Sequence, residues 1–198
     1  MNIFSRLESI VGPKNVSIEQ ADLAKFGLDR TNIYCSNPQV IVFPTSIDQV
    51  QQVIFLANEL EIPIVPSGGR TGLSGGAVAS KSEIVLSMHK MNSILDVNLN
   101  DRTVTVEAGA TTQEVQEVAT KNGLFYPVNF ASVGSSQIGG NVATNAGGVN
   151  VIKYGMTRDW VLGITAVTGS GELLELNKSL ITVSYTHLRA HETSPHLV

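Results

Sequence analysis

The sequence predicts an α+β fold in which a small βαβ unit leads a larger, mixed and mostly antiparallel part. Three observations carry this. Between residues 38 and 65 two apolar runs flank a stretch with helical spacing of apolar residues. After residue 90 the β-rich stretches come as adjacent pairs joined by short turn sequences, the signature of hairpins. Two glycine-rich segments, "PSGGRTGLSGGA" (66–77) and "GSSQIGGNVATNAGG" (134–148), follow strand-like or loop-like stretches instead of interrupting a helix.

Taken in order, Phe4, Leu7, Ile10 and Val11 recur at helical spacing, and Gly12-Pro13 ends that run. Ser17 is expected to cap a second short helix reaching Phe26. "PQVIVFPTS" (38–46) is an apolar strand closed by Pro44. Ser46 with Gln49 reads as a capping box, and Val50, Val53, Ile54, Ala57 and Leu60 form the apolar face of the helix it opens. Ile62–Val65 is the next buried strand, expected to pair in parallel with the first. "SEIVLSM" (82–88) is another. Asn98–Arg102 supplies the turn of a hairpin whose second strand is Thr103–Val106. Thr112 is expected to cap a helix carrying Val115, Val118 and Ala119, which Gly123 stops. "WVLGITAVTGSGELLEL" is a last hairpin.

The chain has 198 residues, 42% of them hydrophobic and 15% charged, with a formal net charge of −4. That is a globular composition, and the acidic balance argues against a nucleic-acid binder. An anionic small ligand remains compatible, because backbone N–H groups alone can bind anions. The single cysteine, Cys35, cannot form an intramolecular disulfide and is expected to be packed. The first residues lack the apolar core of a signal peptide, and no run of apolar residues is long enough to span a membrane. The expected location is the cytoplasm, with peripheral attachment at the inner face of the membrane left open.

The five glycines between Gly68 and Gly76 carry a conformational cost of roughly 0.5–1 kcal/mol each relative to alanine. Successive N–H groups in such a loop can turn inward as a nest for an anion, and Ser67, Thr71, Ser74 and Arg70 add hydroxyls and a fixed charge. A diphosphate suits this set. The loop has neither the lysine of a Walker A motif nor GxGxxG spacing, so a P-loop or a Rossmann dinucleotide site is not expected. In the second segment Asn141, Thr144 and Asn145 lie between paired glycines. Their side chains can donate and accept, which suits ring carbonyls and nitrogens as well as phosphates.

The order "PSGGRTGLSGGA", then "VTVEAGAT", then "GSSQIGGNVATNAGG…KYG" resembles the PCMH-type FAD-binding domain of the FAD-linked oxidases, in the vanillyl-alcohol oxidase superfamily. Within that superfamily it is most similar to the group of glycolate oxidase catalytic subunits, D-lactate dehydrogenases and D-2-hydroxyglutarate dehydrogenases. The resemblance runs from residue 36 to about 180. It implies an N-terminal helical segment (1–35), a two-subdomain FAD-binding domain (36–180) incomplete at its C-terminal end, and a non-native tail (181–198). It also implies that Ser67, Gly68, Gly69, Arg70, Thr71, Gly72, Leu73 and Ser74 wrap the FAD pyrophosphate. Pro127, Gly134, Ser135, Ile138, Gly139, Gly140 and Asn141 would lie along the cofactor, with Thr144 and Gly147 beyond them. Glu107-Ala108-Gly109 matches a family strand end to which no contact is assigned. The first loop has no histidine, so non-covalent FAD is implied. The activity implied is oxidation of a 2-hydroxy acid to the 2-oxo acid by hydride transfer to FAD, with electrons passing to a quinone or a carrier protein. Catalytic base and metal ligands would come from a further C-terminal domain, and none is assigned here. Other subunits are compatible, and a non-catalytic flavin-binding module or accessory subunit is the alternative. A more distant branch, acting on an alditol or a cell-wall precursor, is a third.

Beyond about Leu180 the family pattern breaks, and "VSYTHLRAHET" reads as translated adaptor sequence. His187, His191 and Glu192 would share a helical face and could ligate a metal, but no metal site is expected. His89 reads as a partly buried polar residue at a strand end, Asp101-Arg102 as turn chemistry, and Tyr154 and Arg158 as residues able to face a flavin pocket.

Overall fold

A computed structural model describes residues 2–31 and 33–177. The 181–198 tail and its His187–His191 pair lie outside the described residues. The first half is built on a four-stranded sheet. Its strands are β1 (Val16–Ser17), β2 (Val40–Val42), β3 (Ile64–Ser67) and β4 (Ile84–Ser87), in the order β1-β2-β4-β3. β2, β4 and β3 run parallel, and β1 is antiparallel to β2. The expected parallel partners β2 and β3 share the sheet but do not touch, because β4 lies between them. β4 is buried along its whole length and so needs a neighbour on each edge, which only the central position provides.

The strands sort their residues by a period of two. Val40, Val42, Ile84 and Leu86 face one core with Leu7, Val11, Val50, Val53, Leu56 and Ala57. Ile41, Phe43 and Val85 face the other with Phe26 and Ala79. The first core is covered by α1 (Ile3–Val11) and α3 (Ile47–Glu59), which an Arg6–Glu59 ion pair also links. The second is covered by α2 (Gln20–Phe26) and by the end of the glycine-rich loop. Leu56 belongs to the buried face of α3, whereas Leu60 lies beyond the helix and is exposed.

Caps differ from expectation in instructive ways. Ser17 sits in β1 and does not cap α2. Its Oγ donates to Asp22 and accepts from the Glu19 N–H, upstream of the helix start. At α3 the Ser46 Oγ accepts from the Gln49 N–H at 3.3 Å, but Gln49 reaches back to Thr45, not to Ser46. The helix α4 (Thr112–Lys121) is capped by Thr111 in a full box with Glu114, leaving Thr112 buried inside the first turn. Cys35 is exposed, as are its neighbours Ile33 and Tyr34.

The second half contains the hairpins β5 (Ile94–Asn98) with β6 (Thr103–Val106), and β7 (Gly163–Val167) with β8 (Leu173–Asn177). They stand as separate two-stranded pairs among the described residues. Short helices α5 (Ile138–Ala143) and α6 (Val151–Tyr154) lie between them in sequence. The turn of β7–β8 docks on α3, where Gln51 and Asn58 donate to the carbonyls of Gly171 and Gly169.

Candidate functional site

The two glycine-rich segments meet. β3 delivers the chain into the loop at Ser67, and the loop's first residues lie directly on the start of α5. At Gly69 a Cβ would stand 2.1 Å from the Ser135 carbonyl oxygen, so no other residue fits that approach. A Cβ on Gly68 would lie 3.5 Å from Gln137 Oε1 and 3.8 Å from the Gly140 nitrogen.

The loop's outer end is fastened by the chain between β1 and β2. Asp29, buried, accepts from the Gly75 N–H at 2.9 Å and from the Thr31 N–H and hydroxyl. Gly75 has φ +77 and lies against the Tyr34 ring, which leaves no room for a side chain. Ala79 donates to the Gly27 carbonyl.

Between these two anchors no partner is found among the described residues for the N–H groups of Gly68 through Ser74. The Gly140 N–H, early in α5, has none either. Around Gly72, Gly76 and Gly140 the space that a Cβ would take is open. We term this stretch of unpartnered donors and open glycine positions the trough. Leu73 and Ser74 are exposed beside it, and Thr71 is half-buried.

Arg70 does not project its charge into this trough. Its backbone has φ +56, its Nη1 donates to the Gly68 carbonyl at 3.0 Å, and its guanidinium lies 4.5 Å from the Phe26 ring centre. Burial lowers its pKa, and the cation–π contact and the carbonyl accept the charge.

The second segment is tied down by its own polar groups. Thr112, Ser136 and Asn141 form a buried triangle. Ser136 Oγ donates to Asn141 Oδ1, Asn141 Nδ2 donates to Thr112 Oγ1 at 2.6 Å, and the two hydroxyls are 3.3 Å apart. The Asn141 side chain, expected along a ligand, joins α4 to α5 through these bonds. Ile138 and Gly139 donate to the carbonyls of Ala110 and Ala108, so the chain that follows β6 docks on the start of α5. Thr144 turns its hydroxyl back to the Gly140 carbonyl at 2.8 Å. Pro127 is buried, and its carbonyl accepts from Asn150. Gly134 and Ser135 are exposed, while Gly147 packs near Val151.

Tyr154 packs edge-on to Phe125, and the Arg158 backbone N–H donates to Asn145 Oδ1. His89 is exposed beside the Phe26 ring, more open than expected. Among the described residues no group of acidic, His or Cys side chains could hold a metal ion. Among the described residues two buried side-chain polar atoms have no partner: Ser67 Oγ and Gln137 Oε1. Gln137 escaped the sequence reading because a lone amide between Ser136 and Ile138 carries no pattern.

A family model described as "FAD binding domain" matches residues 38–177. The chain belongs to the FAD binding domain family. The cofactor is FAD, and the residues present fit it: unpaired N–H donors suit its diphosphate, and the trough has space where glycines lack side chains. The chain is 51% identical over 179 residues to a D-2-hydroxyglutarate dehydrogenase of Stutzerimonas stutzeri, an alignment spanning 90% of this chain and 39% of that protein. It is 39% identical to a D-lactate dehydrogenase of Anaerostipes hadrus (88% and 37%), and 32% identical to the glycolate oxidase subunit GlcD of Bacillus subtilis (90% and 38%). The chain thus spans under two-fifths of the length of these relatives. Among solved structures, alkyldihydroxyacetonephosphate synthase superposes with a TM-score of 0.81 at 23% identity, covering 95% of this chain and 36% of that one. A p-cresol methylhydroxylase with substrate bound gives 0.76 at 23% identity, covering 92% and 36%. These establish the PCMH-type FAD-binding fold that the motif order implied.

Proposed function

We propose that this chain is the FAD-binding part of a flavin-dependent oxidoreductase that converts a 2-hydroxy acid to the 2-oxo acid. The observation that carries the reading is the run of unpaired N–H groups from Gly68 through Ser74, lying against the second glycine-rich segment. FAD, when bound, supplies the acceptor for a hydride from the substrate α-carbon. The N–H groups of Gly68, Gly69, Arg70, Thr71, Gly72, Leu73 and Ser74 hold the diphosphate and need no reorganisation to do so, because Asp29 and the Gly69–Ser135 contact fix both ends of the loop. Ser67 stands at the entrance. Gly134, Ser135, Ile138, Gly139 and Gly140 form the wall that runs along the cofactor, with Pro127, Thr144 and Gly147 behind it. Asn141 positions that wall from inside. The lack of a His in the first loop supports FAD held non-covalently.

D-2-hydroxyglutarate is the favoured substrate among the three hydroxy acids. Identity is 51% and 52% to two proteins of that name, against 39% and 32% for the D-lactate and glycolate proteins. Electrons leave to a quinone or a carrier protein. No helix among the described residues is long and apolar enough to cross a membrane, and the reading places the protein in the cytoplasm or at the membrane's inner face.

FAD titration, followed by flavin fluorescence, tests the site. Gly72→Val adds a side chain where nothing lies within 4 Å, so folding is preserved while the trough is obstructed. Affinity is expected to fall at least tenfold. Equal binding by both proteins would remove the trough as the site. Anaerobic bleaching of the bound flavin by D-2-hydroxyglutarate, D-lactate and glycolate, measured on the chain and on any longer product of its gene, tests the substrate.

A further inference from the structure

We propose that Gln51 and Asn58, on α3, are positioning residues that latch the two halves of the chain in the orientation at which FAD is bound. Neither lies in a glycine-rich segment, and the inference rests on the reading of the trough as the FAD site. The chain passes from its first half to its second at Met88–Met91. There the Gly109 N–H donates to the Met91 carbonyl at 2.7 Å, and a Cβ on Gly109 would stand 2.0 Å from the Met88 carbonyl oxygen. Two bodies joined at one place can still turn about it, so their orientation needs a second fastening.

The glycine-rich segments do not provide it. Gly69 lies against the Ser135 carbonyl, yet among the described residues no hydrogen bond is found between residues 66–77 and 134–148. A close approach without a bond of its own is set by whatever holds the two halves elsewhere. The donors on its two sides, Gly68 through Ser74 and Gly140, keep their spacing only while that hold lasts.

The hold is on α3. Gln51, Phe55 and Asn58 recur at i, i+4 and i+7, a stripe beside the buried one of Val50, Val53, Leu56 and Ala57. Gln51 Nε2 donates to the Gly171 carbonyl at 2.8 Å, and Asn58 Nδ2 donates to the Gly169 carbonyl at 2.9 Å. Between them Gly171, at φ +87, lies on the Phe55 ring, where a Cβ would stand 2.4 Å from a ring carbon. The turn they grip is stiff. The Thr168 N–H donates to the Glu172 carbonyl, the Gly171 N–H to the Thr168 carbonyl, and the Glu172 N–H to Thr168 Oγ1. Val167, just before it, packs against the first core. At its other end β7 follows closely on Thr157–Trp160, where Thr157 donates to the Ala146 carbonyl and the Arg158 N–H to Asn145 Oδ1, just after α5. This path runs from α3 to α5, and α5 carries Gly140.

The test uses the full chain with spin labels on its single cysteine, Cys35, and on Lys121→Cys, both exposed and one in each half. Gln51→Met with Asn58→Ala removes both donors. In the ligand-free protein the distance distribution between the labels is expected to broaden, and FAD binding to weaken about tenfold by flavin fluorescence. Coupling is reciprocal, so saturating FAD is expected to narrow the distribution again. Arg6→Met breaks the Arg6–Glu59 pair within the first half and is expected to leave the distribution unchanged and the affinity within twofold. Gln51→Lys keeps a donor within reach of the Gly171 carbonyl and, with Asn58 intact, is expected to keep most of the affinity. Should the double variant fail to fold, Asn58→Ala alone must shift both readouts in the same direction. A lower melting temperature with unchanged distribution and affinity would mean that the bonds only stabilise the fold, and it overturns the proposal. Broadening without weaker FAD binding overturns it, as does equal weakening by Arg6→Met. Failure of the unsubstituted chain to bind FAD at any concentration would instead remove the parent reading, and this one with it.

Discussion

Gly139 and Gly140 are adjacent in α5, yet alanine at the two positions is expected to act with opposite sign. At Gly140 the added Cβ meets nothing within 4 Å. The substitution then expresses only helix propensity and reduced unfolded-state entropy, a gain of about 0.5–1 kcal/mol. For a chain of this size that raises the melting temperature by about 1–4 °C. At Gly139 the Cβ would stand 2.8 Å from the Ala108 Cβ and 3.1 Å from the Ala108 carbonyl oxygen. That carbonyl accepts from the Gly139 N–H at 2.8 Å, so the two backbones cannot separate without losing the bond. Overpacking of this kind costs about 1–3 kcal/mol. Thermal and urea unfolding of both variants reads the difference. The added protection given by saturating FAD should also be smaller for Gly140→Ala, because the methyl group enters the trough. If Gly140→Ala melts below the unsubstituted chain, or if the two variants shift together, the division of α5 into a packed and an open face is wrong.

Asp29→Asn replaces one of the acceptors that serve Gly75 and Thr31 by a donor. It is expected to cost about 1–3 kcal/mol in urea unfolding and to weaken FAD binding through a loosened loop. Full FAD affinity in a folded Asp29→Asn protein would show that the anchor does not position the loop. Tyr126 is half-buried, and desolvation raises its pKa above the ordinary value of 10.0. Its contribution to stability is therefore complete below about pH 10, where the unfolded residue begins to ionise, and is lost as pH rises toward the folded pKa. Melting curves between pH 9 and 11.5 should fall more steeply for the parent chain than for Tyr126→Phe, and parallel curves would contradict the assignment.

The βαβ lead, both hairpins and the glycine-rich loop that leaves β3 were legible in the sequence because each depends on local chemistry. Val40–Val42 and Ile84–Ser87 are continuous apolar runs, and Asn98–Arg102 has the turn residues to place Arg102 at φ +55. What stayed hidden depends on partners distant in sequence. Nothing in residues 82–88 says that this strand inserts between two earlier ones. Nothing near Asn141 says that its amide donates to Thr112, 29 positions away. Nor does the loop's own sequence say that Arg70 lies over the Phe26 ring. The role of Asp29 was missed for the same reason: an Asp beside Arg30 and Thr31 reads as turn chemistry, and its bond to Gly75 crosses 46 positions. Shifting Thr112 from cap to first-turn residue is a smaller miss, settled by which of two adjacent threonines has Glu114 three places on.

The insertion of β4 between β2 and β3 constrains how the chain assembles. β3 pairs only with β4, so until residues 84–87 arrive it has no edge to join, and α3 has carried the chain to an unfinished sheet. The glycine-rich segment is the tether that must close for this to happen, and its glycines make closure entropically more costly. The same residues that keep their N–H groups open in the finished protein therefore belong to the loop that must close for β3 to join the sheet.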